Sequence, residues 1–236
     1  MNLVLLDIKD FIDPTTVIIK GRRLKHLLSV NKVNENDCLV CGLLNGKIGT
    51  GVVIKRSEFF LEMRVELDQD PPEPLPLNIV LALPRPKMLK RIIETVTTLG
   101  VKNIYLINSW RVEKSFWQSP LLELNTLEKH MVLGLEQSRD TIMPKIVQKR
   151  FFTRFVTEEL PLISRNSLRI TAHPKTHHIC PTGVNQEITL VIGPEGGFID
   201  IEIETLEKHG FLSCHIGQRI LKVETAVTFL ISRLFS

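Results

Sequence analysis

No stretch of about 18 consecutive apolar residues occurs in this chain of 236, so nothing in it reads as a transmembrane helix. The first ten residues carry Asp7 and Asp10 where a secretory signal would need basic and then purely apolar positions, and a cytoplasmic protein with no membrane partner is expected. Cysteine is scarce: four in this length make no disulfide framework, which fits a reducing compartment. Charge of one sign is also lacking. With 30 basic against 26 acidic residues the net charge is only +4, so any nucleic-acid surface must be a local patch. Aromatic residues are few, and the two tryptophans, Trp110 and Trp117, admit two readings: stacking on bases, or burial beside a subunit contact.

What is present is ordinary globular material, 43% apolar and 24% charged, in enough length for one large domain or two smaller ones. The division falls at residues 69–76, where prolines and acids crowd into an extended connector. Before it, in residues 1–68, short strand-like runs alternate with turn residues at 3–6, 17–19, 38–44, 47–53 and 60–67, with Asn45-Gly46 as a hairpin signal. One helical piece at 24–30 interrupts them, and a small β-barrel is expected. After it, in residues 77–236, strand and helix alternate, which predicts an α/β domain with a mainly parallel sheet. Strands are expected at 77–83, 103–107, 167–172, 188–192 and 211–216, and helices at 87–99, 119–139, 200–209 and 223–235, the second opened by Ser119-Pro120 as cap and first residue.

Two strand-to-helix loops stand out. Ile192, Gly193, Pro194, Glu195, Gly196 and Gly197 form the first; Ile216, Gly217, Gln218, Arg219, Ile220, Leu221 and Lys222 form the second, followed by Glu224, Thr225 and Ala226. Both lie at the carboxyl edge of a parallel sheet, where ligands bind. The glycines of the first keep side chains out of the way, so backbone N–H and C=O groups can meet a cofactor directly. Ala172 and His173 end another strand at the same edge.

Other signals lead elsewhere. Cys38 and Cys41 make a C-x-x-C inside a predicted strand, where residues three apart face opposite ways and cannot share a metal. Gly42 to Ile48 imitates a phosphate loop but is one residue short and sits in a hairpin. His173, His177, His178 and Cys180 lack ligand spacing, and no metal is expected.

The two loops, with Leu99-Gly100-Val101, Glu136-Gln137-Ser138, Pro144 and Glu202, resemble the SPOUT-class RNA methyltransferases over nearly the whole chain. The nearest resemblance is to the enzymes that methylate N3 of a uridine in 16S ribosomal RNA of the small subunit. The pattern G-P-E-G-G followed by I-L-[RK]-x-E-T-A carries it. Departures occur at Thr98, Trp110, Arg139 and Lys222, where the family usually has acid, acid, glycine and arginine. The resemblance implies an N-terminal PUA-like barrel, a trefoil-knotted α/β domain, S-adenosylmethionine as cofactor, a homodimer, and ribosomal RNA, as an assembled or nearly assembled subunit, as partner. A catalytically lapsed assembly factor and a ribose 2′-O-methyltransferase are the alternatives on the same scaffold.

On that reading the cofactor is held by Ala172, His173, Ile192, Gly193, Pro194, Glu195, Gly196, Gly197, Ile216, Gly217, Ile220, Leu221, Glu224, Thr225 and Ala226. Lys222 and Arg219 supply positive charge to the chemistry. Glu195 and Glu224 serve as a base or merely bond backbone N–H groups at helix starts. RNA contacts fall to Arg22, Arg23, Lys25, His26 and Lys32 in the first domain and to Arg85, Lys87, Arg111 and Arg139 in the second, although solvated helix charge explains such clusters equally well.

Overall fold

The computed structural model describes residues 2–236, which form two compact units. The first contains a six-stranded sheet of β1 (Val4–Leu6), β2 (Phe11–Asp13), β3 (Thr16–Ile19), β4 (Cys38–Leu43), β5 (Ile48–Arg56) and β6 (Leu61–Gln69). Its order is β1-β4-β5-β6-β3-β2, antiparallel except for the β1/β4 pair. Alternation along β6 buries Leu61, Met63 and Val65 and turns Arg64 and Glu66 outward, as a half-buried strand requires. Leu24 of α1 (Gly21–His26) and Leu27 of the wider turn that follows close over these side chains. Asn45 takes the left-handed conformation at φ 58° in the expected hairpin turn. The barrel is not closed: β1 and β2 are free edges, and the sheet is a curled half-barrel.

Cys38 is exposed and Cys41 buried on β4, with burial pushing the Cys41 thiol up to about 12. That makes it a core side chain and not a thiolate.

This unit is discontinuous, which the expected boundary at residue 68 misses. It runs to Glu73 and takes in Met131–Met143 from the second half of the chain. The reason is packing: Leu135 joins Leu3, Leu5 and Ile48 in a core cluster, and the Glu136 carbonyl accepts the Leu3 N–H at 3.1 Å. The Glu136 carboxylate, nearly buried, accepts from Arg22 Nη2 at 2.6 Å. Arg23 is more deeply committed. Its two Nη groups bond both oxygens of Asp10 at 2.6 and 2.7 Å, and Nη1 also reaches the Leu5 carbonyl at 2.7 Å. This two-pronged pair is internal, so Arg23, expected among the RNA contacts, is instead a structural residue of the half-barrel.

The second unit alternates strand and helix: β7 (Leu75–Ala82), α2 (Pro86–Thr98), β8 (Val101–Ile107), α3 (Leu124–Ser138, to His130 in this unit), β9 (Lys145–Lys149), α4 (Phe152–Arg154), α5 (Leu160–Ile163), β10 (Leu168–Ala172), β11 (Ile188–Ile192), α6 (Asp200–Lys208), β12 (Leu212–Cys214) and α7 (Val223–Phe235). Every pairing in the sheet β12-β10-β11-β7-β8-β9 is parallel. β7 and β11 lie inside the sheet, and β11 is buried along its whole length, which is why its sequence is a continuous apolar run with one threonine.

Ser119 and Pro120 do not open α3. They open a single 3-10 turn, Pro120–Leu122, after which Glu123 is extended at ψ 132° and the helix starts afresh at Leu124. The connection between β10 and β11 ties down the C-terminal segment. His178 and Cys180 exchange backbone bonds with His215, the Cys180 carbonyl accepts from Arg233 Nε at 2.7 Å, and the Val184 N–H reaches the Leu234 carbonyl at 2.7 Å. Among the described residues no helix is long and apolar enough to cross a membrane.

The buried pair gives a direct test. Arg23→Ala leaves Asp10 buried without its partner and is expected to destabilise the chain by about 3 kcal/mol in urea unfolding. Lys25→Ala, two residues along the same helix and exposed, is expected to change stability by no more than about 0.5 kcal/mol. Equal effects would show that the ion pair does not hold the half-barrel.

Candidate functional site

The carboxyl ends of β10, β11 and β12 release the chain at one edge of the second unit, and three loops meet there around a cavity of about 370 Å³. That is within the range of small-molecule sites. The β11 loop contributes Ile192, Gly193, Pro194, Glu195, Gly196 and Gly197; the β12 loop contributes Ile216, Gly217, Arg219, Ile220 and Leu221; the β10 loop contributes Ala172 and His173. Ala226 lines it from α7. Glu224 and Thr225, in the first turn of α7, stand outside the lining.

The first loop is shaped by close approach. A Cβ on Gly193 would lie 3.2 Å from the Phe198 amide nitrogen, and one on Gly196 would lie 3.0 Å from Arg111 Cδ. Gly197 takes φ +70°, and its N–H closes the turn on the Pro194 carbonyl at 2.8 Å. Side chains are therefore excluded from the loop on one side by packing, which leaves its backbone as the cavity wall. Glu195 accepts the Arg85 N–H at 3.0 Å through Oε1 and is the single acid among the described lining residues. Its backbone-bonding role is thus filled.

Arg111, expected on the RNA surface, bends into the cavity and donates from Nη1 to the Gly196 carbonyl. Two interactions place it. The 108–112 loop leaves β8 beside the β11 loop, and buried Glu202 accepts the Trp110 N–H at 2.8 Å while accepting the Ile199 N–H at 3.0 Å at the start of α6. The cavity also takes in Pro174, Lys175, Cys214, His215, Val223 and Leu230, none of which the loop motifs single out. A sequence signal did exist for two of these: Val223 and Leu230 belong with Ala226 to the apolar stripe of α7, spaced three and four residues apart. The stripe that packs the helix also faces the ligand space.

The wall is largely apolar, with charge concentrated at Arg111, Lys175, Glu195 and Arg219. His173 is half-buried, and burial, then the neighbouring Lys175 charge, hold its imidazole below the usual histidine range. It stays neutral near pH 7. Of the two candidate catalytic cations, Arg219 lines the cavity whereas Lys222 is exposed at the N-cap position of α7, outside the lining.

The remaining expected RNA contacts separate by environment. Lys25, Lys32 and Arg139 are exposed on the first unit, Arg139 in the left-handed conformation that ends α3. His26 is half-buried, and Arg22 divides itself between Glu136 and solvent. Arg85 and Lys87 are exposed at the start of α2, where the Arg85 backbone already touches the first loop through Glu195. Among the described residues no three His, Cys, Asp or Glu side chains are placed to hold a metal.

Comparison with known proteins agrees with this geometry. The chain is 25% identical over 232 residues to ribosomal RNA small subunit methyltransferase E of Treponema pallidum, covering 96% of this chain and 87% of that one. It is 26% identical to the protein of that name from Mesomycoplasma hyopneumoniae, covering 92% of each. In fold it matches ribosomal RNA small subunit methyltransferase E of Neisseria gonorrhoeae bound to S-adenosyl methionine, with a TM-score of 0.74 at 19% identity over 98% of this chain and 96% of that one. A methyltransferase of Legionella pneumophila in complex with SAM gives 0.73 at 21% identity over 98% and 95%. The family model described as an RNA methyltransferase domain matches residues 71–235, a span that begins in the connector and contains every loop of the cavity, and the chain belongs to that family.

Proposed function

We propose that this chain transfers a methyl group from S-adenosylmethionine to N3 of a uridine in 16S ribosomal RNA of the small subunit. The observation that carries the reading is the cavity itself: glycine backbone on one side, apolar side chains on the other, at the carboxyl edge of a parallel sheet in an RNA methyltransferase domain. The names of the relatives support ribosomal RNA of the small subunit as substrate. The pattern of Gly193–Gly197 and Ile220–Ala226 supports uridine N3 through the resemblance it carries.

The residues present fit the cofactor. The backbone of 193–197 and 216–221, kept bare by the packing of Gly193 and Gly196, offers hydrogen bonds for a purine edge and ribose, and Ile192, Ile216, Leu221, Val223 and Leu230 offer walls for an apolar ring. Neutral His173 adds no further cation to Arg111, Lys175 and Arg219 in a cavity that takes a sulfonium. When bound, the cofactor supplies a methyl group already activated by that positive sulfur. The chain's own work is to orient the base within about 3–3.5 Å of in-line contact and exclude water. Uridine N3 becomes nucleophilic once its proton has passed to solvent as the base enters, and the negative charge then spreads to the flanking carbonyls. Arg219 at the cavity supplies the charge that stabilises it. Lys222, on the exposed side of the same loop, takes a phosphate, as do Arg85 and Lys87 of this unit; Lys25, Lys32 and Arg139 are the exposed cations that the first unit, taken by itself, offers to RNA. Because N3 lies on the pairing edge, the target is unpaired or flipped out.

We place the enzyme in the cytoplasm, as a homodimer whose contact uses the apolar side chains exposed on its last two helices, Ile201 and Phe229. The ties from residues 178–184 to residues 215–234 support a threaded C-terminus. Light scattering at two-subunit mass checks the homodimer, and a monomer would remove it.

Mass spectrometry of small-subunit ribosomal RNA from cells with and without the protein tests the reaction. N3-methyluridine is expected to disappear with the protein. Loss of a ribose 2′-O-methyl group instead would assign the other chemistry, and unchanged RNA would overturn the reading.

The two cations are separable. Arg219→Ala is expected to lower the single-turnover rate about 100-fold with little change in cofactor affinity. Lys222→Ala is expected to keep the rate at saturating RNA while reducing the salt dependence of RNA binding by about one charge. The reverse pattern would exchange their roles.

His173 makes the site sensitive to acid. Its pKa is lowered, so it is neutral above that value and cationic below it. As pH falls from neutrality through that lowered pKa, affinity for cationic S-adenosylmethionine should drop more than affinity for neutral S-adenosylhomocysteine. Calorimetry with both ligands should show the difference vanish in His173→Gln. Parallel loss of both in the native chain would remove His173 from the electrostatics of the site.

A further inference from the structure

A second cavity, of about 620 Å³, opens on the other side of the 108–112 loop, where β8 and β9 end side by side with the Asn108 N–H on the Lys149 carbonyl at 3.0 Å. Asn108, Ser109, Trp110, Lys114, Trp117 and Arg150 line it. Three observations there remain unaccounted for. The Ser109 hydroxyl is buried, with the residue only 3% exposed, and has no hydrogen-bond partner. A buried donor of that kind is costly unless something bonds it. The Trp110 indole is 79% exposed although its backbone is anchored by Glu202. Arg150 lies over the Trp117 ring at 5.3 Å, and that indole donates to Asn108 Oδ1 at 2.9 Å, so the floor is rigid and cationic. Among the described residues no carboxylate lines the cavity.

An exposed ring held by a fixed backbone, an unmet hydroxyl and two cations with no acid among them match a ligand that is planar, hydrogen-bonding and anionic at once. We propose that this cavity binds an unpaired RNA nucleotide next to the target, its base stacked on Trp110, its edge or ribose bonded to Ser109, and its phosphate met by Lys114 and Arg150. This rests on RNA being the substrate. The arrangement also explains why one loop serves both cavities: Arg111 points into the first, while Trp110 on the same turn faces the second. A base held there fixes where the neighbouring nucleotide enters the first cavity, which makes Trp110 a residue that selects RNA context.

Both tryptophans of the chain line this cavity, so its occupancy can be read from tryptophan emission without a label. A short single-stranded oligouridylate added to the full chain is expected to quench that emission, and a perfect RNA duplex is not. Trp110→Ala should bind the oligonucleotide about tenfold more weakly, Trp110→Phe should recover most of the affinity, and cofactor binding should be unchanged in both. With ribosomal RNA, Trp110→Ala should raise KM and leave kcat nearly intact. Binding of the oligonucleotide without quenching, or with equal affinity in Trp110→Ala, would overturn the proposal even if methylation is normal. Quenching by an acidic, phenylalanine-containing peptide but not by RNA would assign the cavity to a protein partner and overturn it too. Absent methylation with quenching intact would instead count against the proposed reaction and leave the nucleotide site standing.

Discussion

Glu202 accepts the Trp110 N–H through one oxygen at 2.8 Å and the Ile199 N–H through the other at 3.0 Å, and it does so with only 5% of its surface exposed. Each bond satisfies a backbone donor that the fold would otherwise leave without a partner, one at the start of α6 and one in the loop after β8. Together they lock the 108–112 loop against the helix that follows the glycine loop. Arg111 is thereby held over Gly196, and Trp110 is turned outward. If this carboxylate moved, the shared wall of both cavities would move with it. The chemistry of the site depends on a residue that touches neither cavity.

The parallel sheet sets the second constraint. Because every strand runs the same way, β7, β8, β10, β11 and β12 all deliver their following loops to one edge, and residues as distant as His173, Arg111 and Arg219 converge there. This much was legible in the sequence, since alternating apolar runs and periodic helices state the topology class and glycines mark the loop. Strand β11 and helix α7 fall where the apolar runs place them. The sequence was less informative wherever the deciding contact is remote. Nothing local says that Leu135 and Glu136 belong with Leu3 and Arg22, so the first unit looked like a continuous segment. Strand β9, with the sequence KIVQK, is only half-buried at the sheet edge and carries too weak an apolar signal to be read. Ser119-Pro120 has the chemistry of a helix start, but it starts a single tight turn.

Charged residues were the hardest to assign, for a physical reason. A lysine or arginine in sequence carries the same charge whether it faces solvent, an internal carboxylate or a ligand, and only the partner decides. Arg22, Arg23 and Lys25 sit within four positions, yet one bonds Glu136, one is internal to Asp10, and one is exposed. Arg111 was grouped with surface cations and proves to be part of a cavity wall. Its reach was set by Glu202, 91 positions away in sequence, as the difference between 202 and 111 shows.

The start of α7 brings these constraints together. Lys222 occupies its N-cap position with no side-chain bond to the first turn, so the unpaired N–H groups there project a positive field from the helix end. Arg219 and Lys222 add two full charges beside it, and Glu224 in the first turn offsets only part of them. A field of that sign favours a ligand that becomes more negative as it reacts, and a uracil losing its N3 proton does so. On the proposed reading the loop performs two tasks with one stretch of backbone: its apolar side chains enclose the cofactor, and Arg219 stabilises the anion that the methyl group meets while Lys222 outside the lining holds a phosphate. The neutrality of His173 keeps it from joining Arg111, Lys175 and Arg219 as a further cation of the lining, one that would oppose a sulfonium without helping the uracil.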